Sequence, residues 1–329
     1  MCSLIYRRKF MSEKKFNFAT FWQRFGTISI LLLLLVILAV AKPQAVFSSS
    51  SIPQILRQSA VNILLALGEF FAILLGYIDL SISAACGLTG MCSALLMRAN
   101  CPWVIACIAG VLCGTLIGAL NGFMINKTGL HPFIITLGMQ TVYFGLMLVV
   151  SNSSSVYGFP SGFSKFMNDT LWGFLPVGAI IALIAAGILW FVTAKTKVGR
   201  NLYALGGNRE AAWYSGINVH RHQMIVYMIS GTCAGLAGIV LTGRLNAAAP
   251  TAGTGYETFA IAATIIGGTS FFGGVGKIPG VVAGGLIIGI INYGMTVLMI
   301  DASMQKVVMG ALIIIAVTLD HLVSTSSRK

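Results

Sequence analysis

Two carboxylates stand in otherwise apolar sequence: Glu69 within Leu67-Gly68-Glu69-Phe70, and Asp79 within Gly76-Tyr77-Ile78-Asp79-Leu80-Ser81-Ile82-Ser83. An ionisable group inside hydrocarbon is costly, so it lines a polar path, carries a proton, or is shielded by hydrogen bonds inside a helix bundle. For Asp79, which stands between two apolar runs, capping a helix N-terminus is favoured over lining a path. For Glu69, near the middle of its run, a functional carboxyl and a neutral, hydrogen-bonded Glu packed against another helix stand about level. Other chemistries fail on residue type or spacing. The run Gly267-Gly268-Thr269-Ser270-Phe271-Phe272-Gly273-Gly274-Val275-Gly276-Lys277-Ile278 invites a phosphate-loop reading, but Phe271 stands where the first Gly of that motif belongs and Ile278 replaces the magnesium-binding Ser or Thr. Its glycines suit a tight turn and close helix packing. The four histidines (His131, His220, His222, His321) sit at the ends of apolar runs, and the seven cysteines have no metal-ligand spacing. No Ser/His/Asp or metal cluster is present in the sequence, which gives no reason to expect a catalytic centre, a metal or a cofactor.

The longest hydrophilic interval runs from Lys195 to Gln223. It holds Lys195, Lys197, Arg200, Arg209 and Arg221 against one acid, Glu210. Gly207-Asn208 followed by Arg209-Glu210-Ala211-Ala212-Trp213 and closed by Ser215-Gly216 predicts a short helix outside the bilayer.

The elements that must position these residues are membrane spans. Apolar residues make up 57% of the 329 and charged residues 9%, with a mean hydropathy of +0.90. Soluble domains carry charge on about a quarter of their residues, so the composition indicates an all-α polytopic membrane protein. The net charge of +13 is spread between apolar blocks with no basic face, which argues for topology and against nucleic acid as a partner. Windows long enough to cross about 30 Å of hydrocarbon give about ten spans: 25–41, 60–77, 81–97, 103–125, 132–151, 172–194, 224–243, 258–268, 278–299 and 303–320. The 258–268 piece is too short unless its Gly-rich continuation belongs to it, so a broken or re-entrant helix is expected there. The organisation is then a leader (1–24), a transmembrane region (25–320) carrying the polar loop 195–223, and a tail (321–329). Ala39-Val40-Ala41 also fits a signal-peptide cleavage site, but the long basic leader and the many later spans favour a retained first helix. With both termini cytoplasmic, six bases (Lys42, Arg57, Arg98, Lys165, Arg244, Lys306) fall outside and the other 15 of 21 fall inside, as the positive-inside rule requires.

An internal repeat supports this count. Gly114, Ile117, Gly118, Asn121 and Met124 match Gly285, Ile288, Gly289, Asn292 and Met295, and Met139-Gln140, Val142 and Gly145 match Met304-Gln305, Val307 and Gly310. These are the fourth and fifth spans against the ninth and tenth. An offset of five crossings inverts topology, so a 5+5 inverted repeat is expected.

Glu210-Ala211-Ala212, three residues, then Gly216 resembles the EAA---G pattern of bacterial ABC importer permeases. Gly76-Tyr77-Ile78-Asp79-Leu80-Ser81 resembles the GGIDLSVG segment of the sugar-importer permeases related to the ribose transporter. Gly199-Arg200 through Tyr203-Ala204, Gly206-Gly207-Asn208, Ala211-Ala212 and Ser215-Gly216-Ile217 is similar to their coupling loop. Tyr256-Glu257 through Gly276 is similar to their late glycine-rich segment. The resemblance covers the chain from about residue 55 onward, with Tyr77, Ile82-Ser83 and Glu69 as departures. It implies an inner-membrane permease subunit, two copies forming the path, with a separate cytoplasmic ATPase subunit hydrolysing ATP and a periplasmic sugar-binding protein delivering a monosaccharide. Asn208, Arg209, Glu210, Ala211, Ala212, Trp213, Gly216 and Ile217 would couple to the ATPase, with Trp213 and Ile217 at i, i+4 as an apolar anchor. Asp79, Ser81, Asn121, Gln140 and Asn292 are the pathway candidates, against the commoner use of such residues as helix-to-helix contacts. A proton-coupled secondary transporter using Glu69 is the alternative, since it too would show an inverted repeat, though it has no use for an EAA---G loop.

Overall fold

Apolar runs become helices because in hydrocarbon each backbone polar group must be satisfied within its own segment. The computed structural model describes residues 50–326 together with 32, 36, 38–40, 42, 43 and 48, the side chains of 302 and 319–326 excepted. In chain order the elements are α1 (Ser51–Leu74), α2 (Ile82–Arg98), α3 (Trp103–Thr128), α4 (Pro132–Val150), α5 (Ser161–Asn168), a hairpin of β1 (Thr170–Leu171) and β2 (Leu175–Pro176), α6 (Val177–Lys195), α7 (Lys197–Gly207), α8 (Arg209–Tyr214), α9 (Val219–Leu245), α10 (Tyr256–Ile266), α11 (Ile278–Val297) and α12 (Ala302–Ser326). Six of these (α1, α3, α4, α6, α9, α11) are long and apolar enough to cross a membrane. The chain is an all-α, multi-pass membrane protein.

Each of the nine later expected spans coincides with a helix, while the leader 1–24 and most of the first span 25–41 lie outside the described residues. Boundaries shift where sequence signals are weak. Helix α1 starts at Ser51, nine residues before the expected 60, and α12 continues to Ser326, past the expected end at 320. The 172–194 span begins only at Val177, because 170–176 forms the hairpin and Pro176 caps the helix. The short 258–268 piece is α10, whose 11 residues rise only about 16 Å, half a bilayer. The Gly-rich loop 267–277 continues to the end of α1, where Gly274 N donates to the Leu74 carbonyl (2.9 Å).

The packing obeys the repeat. Helix α3 packs on α9 as α11 packs on α1; α2 packs on α9, α3 and α4 as α10 packs on α1, α11 and α12. The two halves run oppositely. Helix α3 ends beside the start of α9, where Asn126 Nδ2 donates to the His220 carbonyl (2.9 Å), whereas α11 starts at that same end of the bundle, after the loop that meets α1 and α7. The repeated glycines occupy equivalent interfaces: Gly114 and Gly118 face the α9 backbone, and Gly285 and Gly289 face Ile63 and Ser59 of α1. Small residues there let backbones approach, which is how helices associate in lipid without a hydrophobic driving force. Helix α1 is the central element, 83% buried over its apolar window, whereas α4 is 17% buried and presents Leu137, Val142, Leu146 and Val149 outward.

Candidate functional site

The polar interval 195–223 folds as α7, α8 and the first turn of α9, each opened by a side-chain cap. Thr196 Oγ1 accepts from Gly199 N (3.3 Å), Asn208 Oδ1 from Ala211 N (2.9 Å) and Asn218 Oδ1 from Arg221 N (2.9 Å). Such caps satisfy donors that helix starts leave open, each contributing about 1 kcal/mol. The short helix expected here is therefore present as α8, and α7 is an additional helix in a stretch whose composition suggests a loop. Its signal in the sequence is the Leu202 and Leu205 spacing, both of which are buried. Tyr203 on α7 donates to the Gly276 carbonyl (2.8 Å), tying this element to the Gly-rich loop, and partial burial pushes its phenol above the ordinary tyrosine value.

Helix α8 sits on the bundle through Ala212, which packs with Leu205, Val219, Leu75 and Ile217. Trp213 and Tyr214 point away, 61% and 81% exposed, with ring centroids 4.9 Å apart. Trp213 and Ile217, expected one helical turn apart, do not share a helix. The helix ends at Tyr214, and Gly216 takes φ +81°, a left-handed turn that sends Ile217 back toward the bundle. Trp213 and Ile217 instead form parts of the wall of one open groove of about 620 Å³, with Arg209, Glu210, Gly216, Asn218 and His220 completing it. Asn208 and Ala211 are not part of the groove's wall; Asn208 serves as the cap and Ala211 is exposed beside it.

Above this element lies a buried polar network on the extended segment between α1 and α2. Glu69 Oε1 accepts from Asp79 N (3.0 Å). Asp79 Oδ1 accepts from Ser81 N (3.1 Å) and Ser81 Oγ (2.6 Å), and Asp79 Oδ2 accepts from Ser230 Oγ of α9 (2.7 Å). Ser81 Oγ accepts from Asn121 Nδ2 of α3 (2.7 Å), and Asn121 Oδ1 accepts from Tyr143 Oη of α4 (2.8 Å). Gln140 Nε2 donates to Ser83 Oγ, two residues after Ser81 in the first turn of α2 (3.2 Å). Asp79 does not cap α2 as expected, because the helix opens two residues later at Ser81 without a side-chain cap; its carboxyl instead closes a local turn onto Ser81 N and accepts a bond from α9. The network ties α1, α2, α3, α4 and α9 together: the two carboxyls join α1, the segment before α2, and α9, and neutral amide and hydroxyl bonds add α3 and α4. At the α8 end, Arg209 donates to Tyr77 Oη, two residues before Asp79, so α8 is linked by one side chain to the segment that carries the network.

Four of the five pathway candidates therefore lie together, and Asn292 does not. It lies on α11 toward the end of the bundle away from α7 and α8, where it faces a separate recess. Sequence reasoning misses Ser230 and Tyr143, because a single hydroxyl in an apolar helix has no distinguishing spacing. It also misses Asn62, a buried amide in α1 that has the same signal as Asn121.

Residues 51–317 match the family described as branched-chain amino acid transport system / permease component. The D-allose transport system permease protein AlsC of Escherichia coli is 53% identical over 95% of this chain and 96% of its own length. The ribose import permease protein RbsC of Bacillus subtilis is 40% identical (94% and 96%), and the galactose/methyl galactoside import permease protein MglC of E. coli is 35% identical (94% and 97%). Among solved structures, a chain of an ABC transporter of metal-chelate type in an inward-facing conformation covers 92% of this chain and 98% of its own, with TM-score 0.54 and 14% identity, a likeness of fold alone. With the repeat, the capped α8 and the matched 51–317 in place, this chain belongs to the family of transport-system permease components.

Proposed function

We propose that this chain is the permease subunit of a bacterial ABC importer, passing a monosaccharide of the allose, ribose or galactose kind across the inner membrane. A separate cytoplasmic ATPase drives it, a periplasmic binding protein delivers the sugar, and two copies form the path. Both termini lie in the cytoplasm, with α7 and α8 on the same side, as their excess of basic residues supports. The observation that carries the reading is α8 itself: a rigidly capped helix that presents two large aromatic side chains, Trp213 and Tyr214, beside a polar groove. Exposed aromatic anchors of this kind are where protein interfaces concentrate their energy. Closure of the ATPase would displace α8. The Arg209 to Tyr77 bond would pass that displacement to the Asp79 segment, and α1, α2, α3 and α9, joined there, would move as a set. Asp79, Ser81, Asn121 and Gln140 then act as the hinge-side polar contacts that this motion rearranges, with no chemistry performed on the sugar.

The sugar relatives, at 35–53% identity over nearly the whole chain, favour a monosaccharide over the amino acids in the family's description. Uptake of D-allose, D-ribose, D-galactose and L-leucine into proteoliposomes with ATPase and binding protein separates the two. The coupling role is checked by co-purification with the ATPase. Trp213→Ala, at a site too exposed to perturb the fold, is expected to weaken association about 30-fold, the effect of losing a hot-spot anchor worth about 2 kcal/mol. Glu210→Lys and Gly216→Trp are expected to do at least as much. Undiminished association and ATP hydrolysis in all three variants would remove α8 from the interface.

A further inference from the structure

At the end of the bundle away from α8, a recess of about 200 Å³ opens between α1, α9, α10, α11 and α12. Its floor holds two buried amides, Asn62 and Asn292, at 3% and 5% exposure. Asn62 Nδ2 and Asn292 Oδ1 are buried without a hydrogen-bond partner among the described residues. Leaving buried polar atoms unpaired costs about 1–3 kcal/mol each, so a polar group from elsewhere is expected to satisfy them. The repeat sharpens the point. Asn121, the counterpart of Asn292, is fully engaged by Ser81 and Tyr143, so the fold has filled this position with protein groups in one half and left it open in the other.

The lining identifies the ligand class. Beside the amides stand the rings of Tyr256 and Phe259, 5.5 Å apart and tilted by 35°, which offer an apolar face. Arg244 and Lys306 lie at the rim and no carboxylate lines the recess. An inorganic cation therefore lacks acidic ligands. A carboxylate lacks the donor that Asn292 Oδ1 requires, since an ionised oxygen only accepts, and a phosphate has no apolar face to set against the aromatic wall. A sugar hydroxyl both donates and accepts, and a sugar's C–H face suits an aromatic wall. The volume lies below the 300–1,000 Å³ typical of drug-sized ligands, which fits a single small ring. Asn62 is near the middle of α1, about 16 Å from its start, and Asn292 is about 8 Å from the end of α11, so the recess reaches from that end of the bundle toward its middle.

We infer that this recess is a monosaccharide subsite within the permease, on the side that receives sugar from the binding protein, with Asn62 and Asn292 binding ring hydroxyls. This rests on the proposed importer reading for its substrate class. The test is saturation-transfer NMR on the detergent-solubilised full chain with D-allose, D-ribose and D-galactose at millimolar concentration. Transfer to at least one sugar is expected, weakened about tenfold in Asn62→Leu and in Asn292→Leu through loss of a hydrogen bond each, and unaffected by inorganic phosphate. Both variants are expected to keep or raise the thermal midpoint, because each removes an unpartnered polar atom; Asn62→Gln and Asn292→Gln, which keep an amide, provide the comparison if a leucine variant does not fold. No transfer in the wild type, equal transfer in the variants, or displacement by phosphate would overturn the inference. ATPase co-purification depends on α8 and not on the recess. A chain that holds the ATPase without binding sugar defeats the subsite alone, and one that binds sugar through these amides without the ATPase defeats the importer reading alone.

Discussion

Gly118→Leu and Gly231→Leu are expected to abolish accumulation of folded protein, while Gly138→Ala and Gly145→Ala leave it intact or more stable. The first two lie where α3 and α9 touch backbone to backbone. A Cβ on Gly118 would stand 3.0 Å from Met228 Cα and closer still to the Tyr227 carbonyl; one on Gly231 would stand 2.9 Å from Gly118 Cα. No side-chain rearrangement relieves a clash with backbone, so the helices must separate, and with them α2, which packs on both. Overpacking of a close-packed interior costs about 1–3 kcal/mol when side chains can yield, and here they cannot, so about 3 kcal/mol or more is expected. Gly138 and Gly145 are also helical, on α4, but have nothing within 4 Å of an added Cβ. There alanine gains the usual advantage over glycine in a helix, about 0.5–1 kcal/mol. Fluorescence-detected size exclusion and thermal midpoints in detergent measure both pairs. A monodisperse Gly118→Leu protein with wild-type stability would show that the α3 to α9 contact is looser than these distances imply.

The second large effect falls on the buried network, where the two carboxylates are expected to behave differently. Asp79→Leu strands three donors at once, Ser81 N, Ser81 Oγ and Ser230 Oγ, in a buried region. At about 1–3 kcal/mol for each orphaned group the loss exceeds 3 kcal/mol, and folded yield and uptake should both collapse. Asp79→Asn retains one acceptor oxygen and should fall between. Glu69→Gln keeps an oxygen acceptor for Asp79 N, its single bond in the network, at almost unchanged volume. It should fold normally and retain uptake within about twofold, because the neutral isostere costs less than one ordinary hydrogen bond. The same variant decides the proton-coupled account. If Glu69→Gln folds yet loses uptake, and wild-type uptake collapses with an uncoupler but survives ATP depletion, Glu69 is a proton site and the importer reading fails.

Much of this molecule is legible in its residues alone. The membrane class follows from composition, the nine later spans from apolar runs, and the inverted repeat from the paired Gly, Asn and Gln residues, whose glycines occupy equivalent interfaces. The start of α8 follows from Asn208, because capping depends on residues three apart in sequence. What stays open to a sequence reader has a common cause. In lipid, the face of a helix that meets a neighbouring helix and the face that meets hydrocarbon are both apolar. Periodicity therefore does not tell central α1 from peripheral α4, nor pair Asp79 with Ser230, 151 residues away. The turn at Gly216 that returns Ile217 to the bundle, and the recess that leaves Asn292 open while Asn121 is satisfied, depend on which helices end up side by side. Local sequence sets where helices start, stop and cross. Packing between helices distant in the chain selects which buried polar groups find partners in the protein and which do not.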